Sequence, residues 1–366
     1  LRELVQRAEA HAALAPVDPE AVGALGPVKP MRVSARDPRV ASMTASARAD
    51  IVGEAIETGK AAGLEVSGFL QHGDVAEAFA DRGGLFVHHG ATDISLTVTC
   101  RTPDGTGSSK GGFRSHSRTG LSGKQLAARV ADAAKRSRDP KPIEPGRYRV
   151  LLMPDAVAEL LDFMVDQMGA RAATEGRSFF AKPGGGTKLS DPVFDPRVSL
   201  WSDPADKRNP SSPLAEDGRP QLRTQWVDKG VVKALHADRD YAQLAGVPAT
   251  PRPSSIHMQG DDVGFDALLA KLDRGVLVTR LWYNRMLDPR GIVATGLTRD
   301  GTFWVEGGKV VHPVKNLRYN DSPVALLTRL VALGKPERAG MVDGRVWVVP
   351  PVVVDGFSFE STSDAI

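Results

Sequence analysis

Residues 145–164 read PGRYRVLLMPDAVAELLDFM, and the reading of the second half of the chain turns on them. The run YRVLLM predicts a strand, and the residues after it have helical spacing. Pro154 suits the first turn of a helix, and Asp155 favours the positive end of the helix dipole. Val157, Leu160, Leu161, Met164 and Met168 make an apolar stripe. Asp155, Glu159, Asp162 and Asp166, spaced four, three and four, make an acidic stripe across from it. The expectation is a core helix with a solvated acidic face, and a basic surface of a partner or peptide is the alternative occupant. A metal held by Asp162 and Asp166 alone would lack any nitrogen ligand.

Downstream, residues 201–222 predict a polar, proline-rich loop, followed by short strand candidates: TQWVDKGVVKALHA, GVLVTRLWYNRM, GIVATGLTRDGTFWVEGGKVVHPV and VWVVPPVVVDGFSF. VDKG and VEGG are hairpin signals. One helix, Ser322–Leu333, is expected to interrupt the series. Upstream, a helix over residues 1–15 precedes a Pro-rich linker, and a second helix falls within Asp37–Gly63, with Gly63 able to cap its end. From Leu64 the period changes to about two. LEVSGFLQHG, VAEAFADRGG, LFVHHGATDISLTVTCRT and GTGSSKGGFRSHS then predict an antiparallel meander with Gly-rich turns. A helix over Ser122–Arg138 and the Pro-rich DPKPIEPG close the first part. The expected fold class is α+β, with a mixed N-terminal domain over residues 1–144 and a larger strand-rich C-terminal domain over residues 145–366.

Composition narrows the function. With 47 basic and 44 acidic residues spread along 366 positions, the net charge of +3 is no concentrated basic patch, so nucleic acid is not an expected partner. The one cysteine, Cys100, excludes a disulfide framework and a thiolate metal cluster and fits a reducing compartment. No apolar run is long enough to span a membrane, and the charged N-terminus has no signal-peptide core, so a cytoplasmic location is expected. The chain does not begin with Met, which predicts a fragment or a processed product.

The order of segments resembles that of the TldD/PmbA family, also called modulator of DNA gyrase. PGRYRVLLMPDAVAELLDFM is similar to its strand-then-helix entry, and TEGRSFFAK to the segment after that helix. EDGRPQLRTQWVDKGVVKALHADRDYAQLAG, GTFWVEGGKVVHPVKNLRYNDSPVALL and VDGFSFESTSDAI resemble its later strands and C-terminus. GDVAEAFADRGG is similar to the family's substrate-domain strand, and the family's leading segment is expected to be missing.

The resemblance implies a two-domain α+β fold, dimeric assembly and proteolysis of small peptides or unfolded segments. It also implies two kinds of subunit. TldD-type chains carry His-Glu-x-x-x-His and a further cysteine near the C-terminus; TldE-type chains lack them and pair with a TldD. Aligned on Gly176-Arg177-Ser178, the motif falls on Asp162, Phe163 and Gln167, and Cys100 lies in the other domain. Two imidazoles and a thiolate hold Zn²⁺ while the glutamate deprotonates its water. A carboxylate, a phenyl ring and an amide cannot. The expectation is therefore a TldE/PmbA-type subunit that has no cofactor and is inactive alone, with zinc only in a TldD-type partner. A homodimeric peptide-binding scaffold and a peptidase with a relocated active site are the alternatives.

Other candidates stand on their own chemistry. His88 and His89 are adjacent on a predicted strand and point to opposite faces. His236 and Asp238 are two apart and could share a face as a metal or acid–base pair, in competition with a structural role. PDGTGSSKGG (103–112) fails the phosphate-loop pattern because Lys110 precedes Gly111, and it predicts a hairpin tip. For peptide or partner contact the resemblance points to Arg177, Ser178, His236, Arg239 and Tyr241, and strand addition at an exposed sheet edge is the expected binding mode.

Overall fold

The computed structural model describes residues 1–342 and 345–363, so the end of VDGFSFESTSDAI at 364–366 lies outside the described residues. In the N-terminal part, α1 (Arg2–Leu14) leads through an extended stretch to α2 (Pro38–Ala41) and α3 (Ala45–Ala61). Three antiparallel strands come next, β1 (Glu65–Ala80), β2 (Phe86–Arg101) and β3 (Ser108–Ser115), and α4 (Gly123–Arg136) closes the unit. The Thr44 hydroxyl accepts from the Ala47 N–H at 3.2 Å and starts α3, while Ser122 does the same for α4 through Gln125. Gly63, at φ +75°, lies just past the end of α3 as expected. Ile51 and Ala55 of α3 and Leu126, Val130 and Ala134 of α4 pack on Ile94, Leu96, Val98 and Cys100.

The meander has three strands, not four. LEVSGFLQHG and VAEAFADRGG form one strand of 16 residues paired along its length with β2. Gly73 suggests a turn, but extended backbone accepts it. The turn comes at Asp81, whose carboxylate accepts from the N–H groups of Gly83 and Leu85 at 2.7 and 3.0 Å. The same carboxylate also takes the N–H groups of Leu25 and Gly26, tying the N-terminal stretch to the hairpin.

The C-terminal part opens with β4 (Gly146–Leu152), α5 (Pro154–Asp166) and α6 (Ala170–Thr174). Next come β5 (Leu200–Ser202), β6 (Thr224–Asp228), β7 (Val231–Val232), α7 (Arg239–Ala245), β8 (Ser255–Met258) and α8 (Phe265–Leu272). The chain continues through β9 (Gly275–Asp288), β10 (Val293–Glu306), β11 (Lys309–Pro313), β12 (Leu317–Asp321) and α9 (Pro323–Thr328). It ends with β13 (Leu330–Leu333), β14 (Glu337–Arg338), β15 (Val346–Val349) and β16 (Val352–Thr362). Pairings run β9–β10–β12–β16–β4 and return to β9, which closes these strands into a ring. A second sheet has the order β14-β15-β8-β5-β6-β7. Helix α5 packs on β9, β15 and α9, so it lies between the two sheets. Both hairpin signals form: Lys229 and Gly230 have φ +47° and +81°, and Gly307 and Gly308 have φ +58° and +68°.

The helix expected over Ser322–Leu333 is half helix: α9 ends at Thr328, and Leu330–Leu333 joins β16 as a strand. Arg329 makes the break, its guanidinium held by Asp321 at 2.7 Å and by the Gly356 and Ala325 carbonyls. Helices α7 and α8 fall in stretches not expected to be helical. The mixture of helices and strands is the α+β class expected. No described helix is long and apolar enough to cross a membrane.

Candidate functional site

The apolar stripe of α5 behaves as its spacing predicts. Val157, Leu160, Leu161, Met164 and Met168 are buried in the core between the sheets. The acidic stripe departs only in part from the solvated face expected of it: Asp166 is exposed, while other parts of the same chain meet Asp155, Glu159 and Asp162. Asp155 accepts the Met341 N–H at 3.0 Å. Glu159 accepts from the Asn284 amide and lies 3.7 Å from Arg280. Asn284 in turn accepts from the Tyr319 hydroxyl at 2.7 Å, and Arg280 pairs with Asp300 at 2.7 Å. Burial and the neighbouring Glu159 and Asp321 raise the pKa of Tyr319, which keeps it a donor.

One turn on, Arg345 reaches between Asp162 and Asp166. Its two terminal nitrogens donate to them at 2.7 and 2.6 Å, and its Nε donates to the Pro253 carbonyl at 3.0 Å.

The three motif positions do not form a metal-binding set. Asp162 is committed to Arg345, Phe163 packs on the core, and Gln167 is the C-cap just past the helix, where its carbonyl accepts from the Ser178 hydroxyl at 2.8 Å. Among the described residues, no three His, Cys, Asp or Glu side chains are grouped to hold a metal ion. Zinc, which the resemblance attaches to the catalytic relative, does not fit this donor set: the two nearby carboxylates already share a guanidinium, and the ring between them has no lone pair.

The peptide-contact candidates gather around the C-terminal end of α5 and around α6, held by hydrogen bonds of ordinary structural kind. Ser178 is buried, donating to Gln167 and accepting from the Phe180 N–H at 3.0 Å. His236 is 5% exposed. Its backbone pairs with Met168 and Ala170 at 2.9 and 2.8 Å. Its Nε2 is buried and has no hydrogen-bond partner among the described residues. Burial, aided by Arg252, lowers its pKa to about 4, so the imidazole is neutral at physiological pH. Tyr241 is buried and donates to Thr174 at 2.7 Å. Arg239 donates to the Gly23 carbonyl at 2.6 Å, and Arg177 pairs with Glu175 at the surface.

His236 and Asp238 do not form the pair their spacing allowed: the histidine is interior, while Asp238 is exposed and 4.0 Å from Arg219. His88 and His89 face opposite ways, the first exposed and the second buried, as expected. A cavity of about 350 Å³ lined by Ser108, Ser137, Thr302, Lys315 and Asn316 lies at the seam between the two parts of the chain, away from all of these candidates.

Arg345, Arg280 and Asn284 carry no signal in the sequence. The α5 carboxylates they meet lie more than a hundred residues away along the chain, and no spacing rule links them.

Residues 145–361 match the model of the PmbA/TldA metallopeptidase C-terminal domain. No curated protein matches the sequence. A crystal structure of a protein from Thermotoga maritima described as a modulator of a DNA gyrase superposes with TM-score 0.83 at 20% identity, over 93% of this chain and 80% of that one. One from Bacteroides thetaiotaomicron, with the same description, gives TM-score 0.81 at 21% identity, over 96% and 80%. TldE from Thermococcus kodakarensis gives TM-score 0.83 at 15% identity, over 98% and 84%. At these identities the three structures establish a shared fold.

Proposed function

The chain belongs to the PmbA/TldD metallopeptidase-related family, and from that premise we propose that it is a non-catalytic, TldE-type subunit that completes the substrate chamber of a zinc peptidase by pairing with a TldD-type chain. One observation carries this reading. Where a catalytic relative needs two imidazoles and a general base, this chain has Asp162, Phe163 and Gln167, and the only carboxylate among them is bound to Arg345. The zinc and the water it activates would both come from the partner.

The role left to this chain is to bind and position small peptides or unfolded segments. Strand β1 suits that role: it is the edge of its sheet, 16 residues long, with Phe69 and Val75 exposed. An edge of that kind offers backbone hydrogen bonds to an extended peptide without regard to its sequence. The cytoplasm is the compartment that goes with this reading.

Mixing the chain with a TldD-type protein tests it. The pair is expected to co-purify and to cleave peptides with a requirement for zinc, with no cleavage by this chain alone. Chelator-sensitive hydrolysis by this chain alone would end the proposal. Size exclusion with and without the TldD-type protein separates the heterodimer from a homodimeric peptide-binding scaffold.

A further inference from the structure

Two carboxylates one helical turn apart repel each other and call for a cation. On α5 that cation is Arg345. Its side chain is 16% exposed and uses all three guanidinium nitrogens: two on Asp162 and Asp166 at 2.7 and 2.6 Å, and the third on the Pro253 carbonyl at 3.0 Å. A planar, permanently charged fork meets two carboxylates with fixed geometry. A bound divalent ion would leave a coordination position open to water; a guanidinium leaves none.

At the other end of the helix the chain itself covers the acidic face. Met341 donates its N–H to Asp155, and the backbone of Gly340 touches that of Gly112 on β3 so closely that a side chain at either glycine would collide with the other's carbonyl. The stretch around Gly340 and Met341 is therefore wedged between α5 and the N-terminal sheet.

We infer that Arg345 is a resident cation that takes the charge-balancing place of a metal beside Asp162 and Asp166 and makes this end of α5 independent of divalent ions. The inference does not depend on the proposed pairing. A chain that failed to assemble with a zinc subunit would still carry this contact.

Thermal unfolding with and without a divalent ion tests it. The wild-type melting midpoint is unchanged by EDTA or by millimolar Mn²⁺, an ion that accepts carboxylate ligands. Arg345→Met lowers the midpoint by roughly 5 °C or more, and Mn²⁺ restores part of the loss. In Asp162→Asn/Arg345→Met the Mn²⁺ response disappears. An Arg345→Met midpoint equal to wild type overturns the inference, as does a Mn²⁺ shift of equal size in wild type and variant, or no Mn²⁺ shift in the variant. If Arg345→Met fails to fold, Asp162→Asn/Asp166→Asn/Arg345→Met decides: recovery of a midpoint near wild type supports charge balance, and a triple variant as damaged as the single one overturns it.

Discussion

Along α5, Val157, Leu160, Leu161 and Met164 face one way and Asp155, Glu159, Asp162 and Asp166 the other, and the two faces are satisfied by different physics. The apolar face is satisfied by any well-filled surroundings, and it gets them from the strands of two sheets. The acidic face needs a specific donor for each carboxylate, and it finds them in Arg280 and Asn284 of β9 and in Met341 and Arg345 ahead of β15. The first kind of burial tolerates change in proportion to volume. The second is most sensitive where the charge is least hydrated, as at Glu159, because losing a partner there leaves a charge with little water and no counter-ion.

The largest effect is expected on the apolar side. Leu161 is fully buried, so Leu161→Ala should cost about 3–5 kcal/mol, measurable by urea denaturation. A loss below ~1 kcal/mol would mean that this face is loosely packed and that the comparison is wrong. Next is the polar side: Arg280 is 14% exposed between Glu159 at 13% and Asp300 at 8%, so Arg280→Met should cost about 3 kcal/mol. Adding Glu159→Gln and Asp300→Asn should recover much of that, whereas a loss equal to that of the single variant would show that Arg280 acts through packing.

A pH series comes third. His236 is protonated in the unfolded chain below its ordinary pKa of 6.5 and in the folded chain only below about 4. Between those values the unfolded state binds more protons, so stability falls as the pH falls, by roughly 2 kcal/mol from pH 7 to pH 5 for this one residue. His257 is also fully buried, is stacked on Trp201, and has a pKa lowered by burial to about 4, so it adds to the slope in the same direction. Replacing His236 by Gln should flatten the slope by its share, and an unchanged slope would show that the ring is hydrated in the folded state.

The same contrast explains which features are legible in the sequence. The spacing of Val157, Leu160, Leu161 and Met164 is a local signal, and it identifies both the helix and its buried side. The hairpins at Lys229–Gly230 and Gly307–Gly308 are equally local, since each needs two residues at positive φ. Gly73 misleads because a glycine inside a strand and a glycine in a turn look alike until the pairing partner is known. Leu330–Leu333 misleads because a leucine-rich run suits either a helix or a buried strand, and only its pairing with β16 decides. In the candidate site the absence of zinc ligands at Asp162, Phe163 and Gln167 is legible because it is a matter of residue identity. Arg345 is not: it is 183 residues from Asp162, and many other arginines in the chain look equally available.

The smallest expected effect bears on the one residue that both readings claim. Ser178 lies in the family-like segment that pointed to peptide contact, yet its hydroxyl is used twice inside the protein, on the carbonyl that ends α5 and on the Phe180 N–H. Ser178→Ala removes both bonds and leaves a buried carbonyl and a buried N–H to find other partners, so it should cost about 1–2 kcal/mol of stability. If the hydroxyl only pins the end of α5, peptide cleavage by the mixture with a TldD-type chain should keep its KM once the temperature is set well below the variant's Tm. A raised KM with stability intact would move Ser178 from the scaffold to the substrate, and the end of α5 would then be a surface that peptides reach.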